Sequence, residues 1–200
     1  MHHRWVGEWS VGTRRGSVKG GDPILPRMPL PDPDDIAPQE REKALSALAM
    51  LRIEEVIDPD GSAFTACYAM LNAFFGPRGE MEDRALLAHL VGERVIRYGD
   101  GLEASYHLVG VWSGDELVAA RDCYVDLDRG LGFSIVGLSH AYIAPHWRRS
   151  GISALLRALP ASMARRDQAK RLGRELPMLV AAEMEPVDPR NPDTIIRLLA

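Results

Sequence analysis

Two cysteines, Cys67 and Cys123, are too few for a disulfide scaffold or a four-ligand zinc site. They read as reduced thiols in or near a core, and no metal is expected. No apolar run approaches the length needed to span a bilayer. The N-terminus, Met-His-His-Arg-Trp, lacks the apolar stretch of a signal peptide, so a cytoplasmic protein without a membrane partner is expected. No charge of one sign dominates: the formal net charge is −4, which argues against a broad grip on nucleic acid. Internal repeats and coiled-coil heptads are missing too. What remains is ordinary globular material, 46% hydrophobic and 26% charged over 200 residues, enough for one domain with a real core.

Residues 1–38 read as an arm or linker. Pro23, Pro26, Pro29, Pro31, Pro33 and Pro38 punctuate it and deny both helix and sheet ladders. The domain is expected over 39–200. Leu45, Leu48 and Leu51 predict a short helix over 40–51, and 52–57 a first strand. Ser62 begins a helix to about Phe75, ended by Gly76-Pro77, and 82–95 forms another. Two strands, 106–112 and 116–125, are joined by Ser113-Gly114-Asp115 as a hairpin. A longer strand covers 130–143, a helix runs from Gly151 to about Arg171, and 177–184 reads as a central buried strand. A last helix begins near Asp193. Pro160 falls inside the helix after Gly151 and is expected to bend or interrupt it. Late alternation with an early hairpin implies an α/β class fold, a mixed sheet with helices on both faces.

The informative stretch is Pro145-His-Trp-Arg148-Arg149-Ser150-Gly151-Ile152-Ser153. Pro145 cannot donate to a ladder and ends its strand. Gly151 opens a helix whose start offers unpaired N–H groups and partial positive charge. Arg148, Arg149 and the Ser150 hydroxyl add to it, making a pyrophosphate site without a Walker lysine.

Here the sequence resembles the GNAT superfamily of N-acetyltransferases. The family pattern Gln/Arg-x-x-Gly-x-Gly/Ala is matched by Arg148-x-x-Gly151-x-Ser153, with serine in the last place. The resemblance covers about 52–200. It implies a mostly antiparallel mixed sheet in which the strands before and after the loop splay apart, with acetyl-CoA in the gap. Ala141, Tyr142 and Ile143 would pair with its pantetheine arm, and Arg148, Arg149, Ser150, Gly151, Ile152 and Ser153 would hold the pyrophosphate. An amine, on a small molecule or a peptide, would attack the thioester directly. Glu183 is the expected proton acceptor, then Glu185, which shares its strand parity, then His140. The loop 76–83 would shape the acceptor site, and its carboxylates suit a cationic amine or simply the following helix dipole. The family's C-terminal strands find no counterpart before Ala200, which implies a truncated form and an open edge that a homodimer would cover. A non-catalytic acyl-CoA-binding module and an unrelated phosphate-binding domain are the alternatives.

Overall fold

In the computed structural model the described residues are 31–98, 102–128 and 130–182. The organising element is the expected hairpin, longer than its apolar runs. β3 (Leu102–Ser113) and β4 (Glu116–Asp128) pair from Leu102↔Asp128 to Ser113↔Glu116. Their two-residue connection carries Gly114 at φ +58°, the left-handed turn that matches strand twist.

β1 (Arg52–Glu55) and β2 (Val95–Arg97) both pair with β3, and β5 (Phe133–Ile143) pairs with β4, all antiparallel. β6 (Met178–Ala182) lies parallel to β5. The order β1-β3-β4-β5-β6 is thus a mixed, mostly antiparallel sheet, the α+β arrangement that the resemblance implies. The strand β2 lies where apolar spacing predicts the end of a helix. Arg94 stops that helix with φ +58°, a conformation that a non-glycine residue does not advertise in sequence.

Helices cover both faces. α2 (Ser62–Phe75) and α3 (Arg84–Glu93) pack through Phe64, Cys67, Leu71, Leu87 and Val91 onto Tyr106, Leu108 and Ala120. On the other face α4 (Ile152–Leu172) connects β5 to β6 and buries Ile152, Leu156, Leu159 and Met163 against Val109, Val118 and Cys123. α1 (Pro38–Leu48) lies outside α4, joined through Ala44, Ala47, Ala154 and Ala158. Ile36 is buried in the same cluster, the Asp32 N–H donates to Ser162 Oγ at 3.3 Å, and Arg165 pairs with Asp35. Residues 32–36 of the expected arm therefore belong to the body; 1–30 lie outside the described residues, as does the last helix.

α4 runs through Pro160 without interruption. Proline cannot supply the N–H that the Leu156 carbonyl expects. The buried Arg121 side chain supplies one instead, donating from Nη1 to Leu156 O at 3.1 Å. A second polar group pins the far half of α4. His107 donates to Glu55 at 2.7 Å and to Asp167 at 3.1 Å, and Arg166 pairs with Glu55. Burial opposes the imidazolium, but bonds to Asp167 and Glu55 outweigh it and raise the His107 pKa. Burial likewise opposes the carboxylates, yet His107 and its neighbours hold Glu55 and Asp167 below their usual range.

β6 departs from the buried strand expected. Leu179 and Val180 are 55% and 64% exposed, because among the described residues β6 has one neighbour, β5.

Candidate active site

β5 and β6 pair from Ser134↔Met178 to Leu138↔Ala182, and β5 runs on through Ile143. Among the described residues nothing pairs with 139–143 on that side. On the other side the register with β4 jumps from Cys123↔Leu138 to Arg121↔Ala141. Ser139 and His140 thus stand opposite Asp122 alone, a β-bulge.

Backbone groups alternate in direction along a strand. The Ala144 N–H donates to Val118 O on β4 at 2.9 Å, so the polar groups of Tyr142 also face β4 and those of Ala141 and Ile143 face the open side. Among the described residues the Ala141 backbone groups and the Ile143 N–H, not those of Tyr142, lack a strand partner and could take up an added strand; the Ile143 carbonyl accepts from Arg148 Nε. The Tyr142 ring instead packs on Phe74 at 4.9 Å, under α2.

The bulge is filled by Asp122, which is fully buried. It accepts the His140 N–H at 2.6 Å, His140 Nδ1–H at 3.1 Å and the Tyr106 hydroxyl at 2.8 Å. His140 Nε2–H donates to the Glu80 carbonyl at 2.7 Å, in the loop between α2 and α3. Burial works against charge here, but the Asp122 bond and field, with the Glu80 carbonyl and Glu82, raise the His140 pKa to about 9. Both ring nitrogens carry protons and both are engaged. A proton acceptor needs a free lone pair, so His140 is not one at neutral pH. It positions: it ties the loop to the bulge. In that loop Asp83 is used as the cap of α3, accepting from Leu86 N at 2.8 Å.

Sequence periodicity missed Asp122 and Tyr106. The visible signal was two adjacent charges, Arg121-Asp122, inside an apolar strand, each of which must find a partner on opposite faces.

The strand-to-helix loop begins with a 3₁₀ turn, Pro145–Trp147. Arg148 and Arg149 are exposed. Arg148 Nε donates to Ile143 O at 3.4 Å, and its guanidinium lies 6.0 Å from the Tyr142 ring centre. Arg149 is left-handed at φ +64°, a strained turn in which one cation is held at the helix start. Ser150 differs from expectation, since its hydroxyl donates within the loop to Trp147 O at 2.6 Å. Ile152 is wholly buried in the core, and Ser153 is half-buried in the first turn of α4. Gly151 has φ +100°, and a Cβ there would stand 2.6 Å from the Lys43 carbonyl oxygen of α1. Glu183 and Glu185 lie outside the described residues. No group of side chains suited to a metal occurs among the described residues.

No family model and no curated protein matches the chain. Solved structures do resemble it. An aminoglycoside acetyltransferase from an uncultured soil metagenomic sample is 15% identical, with 74% of this chain and 87% of that one covered at a TM-score of 0.47. A ribosomal-protein-alanine N-acetyltransferase from Brucella melitensis biovar Abortus is 19% identical over 75% and 90%, at 0.43. A possible acetyltransferase from Clostridium difficile is 14% identical over 75% and 89%, at 0.42. No helix among the described residues is long and apolar enough to cross a membrane.

Proposed function

We propose that the chain transfers an acyl group from acyl-CoA, acetyl-CoA in the simplest case, to a primary amine. One observation carries the reading: the end of β5, which has no partner among the described residues on the side of β6, leads straight into a doubly cationic turn at a helix start. An acyl-CoA has the matching parts, an amide-bearing pantetheine arm and a pyrophosphate, and supplies the activated thioester. Ala141 and Ile143 would bond the amides as an added strand does. Arg148, Arg149 and the first N–H groups of α4 would hold the pyrophosphate. The open β5 edge beside the bulge then supplies an N–H for the oxyanion that forms when the amine attacks. An alkyl ammonium must first lose a proton, and with His140 already protonated that role falls to Glu183 or Glu185 beyond the described end of β6.

Arg148→Ala tests the cofactor half. Loss of one charge-assisted bond predicts an affinity for CoA weakened about 10- to 150-fold in calorimetry, with unchanged thermal unfolding. Unaltered affinity would overturn the assignment. Acetyl-CoA binding without consumption across an amine panel would leave an acyl-CoA-binding module instead.

A further inference from the structure

The sheet face under α2 and α3 continues past those helices. They pack on Tyr106, Leu108 and Ala120. Farther along β4 the same face carries Tyr124, opposite Gly137, and Asp126, in one row with Ile135 and Leu179. Tyr124 and Tyr98 are 46% and 44% exposed. Tyr98 stands beside Asp126: burial, then the Asp126 charge, raises its hydroxyl pKa.

The Tyr124 ring lies across β5. A Cβ on Gly137 would come within 2.2 Å of a ring carbon, so glycine is what lets the ring lie flat there. The strip it paves starts at the bulge, where β5 runs beyond its paired stretch with β6. Its one cation among the described residues, the His140 imidazolium, is paired with Asp122 at the bulge. Among the described strand positions on this face, from β2 to β6, there are three carboxylates, Asp122, Asp126 and Asp128, and no lysine or arginine. Asp122 is consumed by the bulge, and Asp128 caps the following turn through Gly130 N and Leu131 N. That leaves Asp126, half-buried, with its carboxyl pushed up by burial and therefore gaining from a nearby cation.

We propose that this strip is the acceptor subsite of the acyl transfer, and that the acceptor is an amine bearing a second positive charge. Asp126 sits four residues along β4 from Asp122, about 13 Å of extended strand, and that distance sets the spacing between reacting amine and distal cation. Tyr124 supplies the floor, an exposed ring face over which an alkylammonium chain is favoured. An anionic acceptor would meet like charge, and a neutral one would leave Asp126 without benefit.

The proposal rests on the acyl-transfer reading, and the test separates the two. Spermidine and n-butylamine are the probes, with acetyl-CoA, in steady-state transfer and in calorimetry. Wild type should favour spermidine. Asp126→Asn should raise the spermidine KM about tenfold, the size of one charge-assisted bond, without moving the KM for n-butylamine or acetyl-CoA. Tyr124→Ala should weaken spermidine and Tyr124→Phe should not. Equal use of the two amines, or an Asp126→Asn enzyme indistinguishable from wild type, overturns the subsite. If CoA itself fails to bind, the acyl-transfer reading falls, and calorimetry still reads the strip. Spermidine heat lost in Asp126→Asn then upholds a cation site, and no spermidine binding to wild type removes it.

Discussion

Gly151 invites a substitution whose outcome separates two reasons for a glycine. In an anion-binding loop glycine lets a phosphate approach the backbone, and on that account alone Gly151→Ala would weaken CoA and leave stability intact. The packing says otherwise. A Cβ at 151 would lie 2.6 Å from Lys43 O, 2.9 Å from Lys43 C and 3.1 Å from Ala44 N, all backbone atoms of α1 that cannot swing aside. The φ of +100° adds its own penalty. A left-handed non-glycine residue costs about 1–2 kcal/mol and an overpacked contact about 1–3 kcal/mol. The sum, about 2–5 kcal/mol, corresponds to a loss of roughly 4–20 °C in Tm for a domain of this size. Thermal unfolding by circular dichroism and urea titration both measure it, with Arg148→Ala as the control that should unfold like wild type. A Gly151→Ala protein with the wild-type midpoint would show that α1 is not seated as described. The same contact makes Gly151 a poor place to test cofactor binding, because lost affinity there would report lost packing.

Two more expectations follow from the polar groups around α4. Arg121→Leu should be costly while Pro160 is present and less costly with Pro160→Ala, where residue 160 regains an N–H for the Leu156 carbonyl; urea titration of the double-mutant cycle should give a coupling near 1 kcal/mol, and strict additivity would refute the rescue. His107 has a raised folded pKa, so its contribution is full below about pH 6.5 and lost as pH rises through the folded value, whereas the lowered Glu55 and Asp167 contribute above about pH 4 and lose it on acidification. The stability gap between wild type and His107→Gln should be widest between about pH 5 and 6.5 and narrow as pH rises through the raised folded pKa, and a gap that stays constant would remove the charged imidazole from the account.

Local signals carried most of the architecture. Gly114-Asp115 between two apolar runs fixes the hairpin, the spacing of Phe64, Cys67 and Leu71 fixes α2, and Pro145 followed by Gly151 fixes the turn between β5 and α4. Each depends on residues a few positions apart. What stayed hidden depends on partners far along the chain. Arg94 ends α3 by its own backbone conformation, and β2 exists because β3 is there to receive it. Pro160 reads as a break until Arg121, thirty-nine positions earlier, is seen to serve the orphaned carbonyl. His140 reads as a base until Asp122 and the Glu80 carbonyl occupy both its nitrogens.

The bulge at Ser139–His140 is where these hidden partners matter most. In an unbroken strand Leu138, His140 and Tyr142 would share one face. Leu138 does pack toward α4, beside Val136. One extra residue turns the rest of the strand over, so His140 meets Phe75 and Tyr142 meets Phe74 on the opposite face. A bulge breaks the ladder and leaves an N–H without its carbonyl, and a buried carboxylate left alone would be worse still. Each cures the other here, since Asp122 accepts that N–H, the imidazolium it helps to charge and the Tyr106 hydroxyl. Removing Asp122 would therefore strand a buried cation as well as the bulge, while removing the bulge would return His140 to the apolar side beneath α4. The arrangement turns a uniform strand into an edge with two faces: among the described residues the Ala141 backbone groups and the Ile143 N–H have no strand partner on the β6 side, and the side chains hold the loop carrying Glu80 and Glu82 above it.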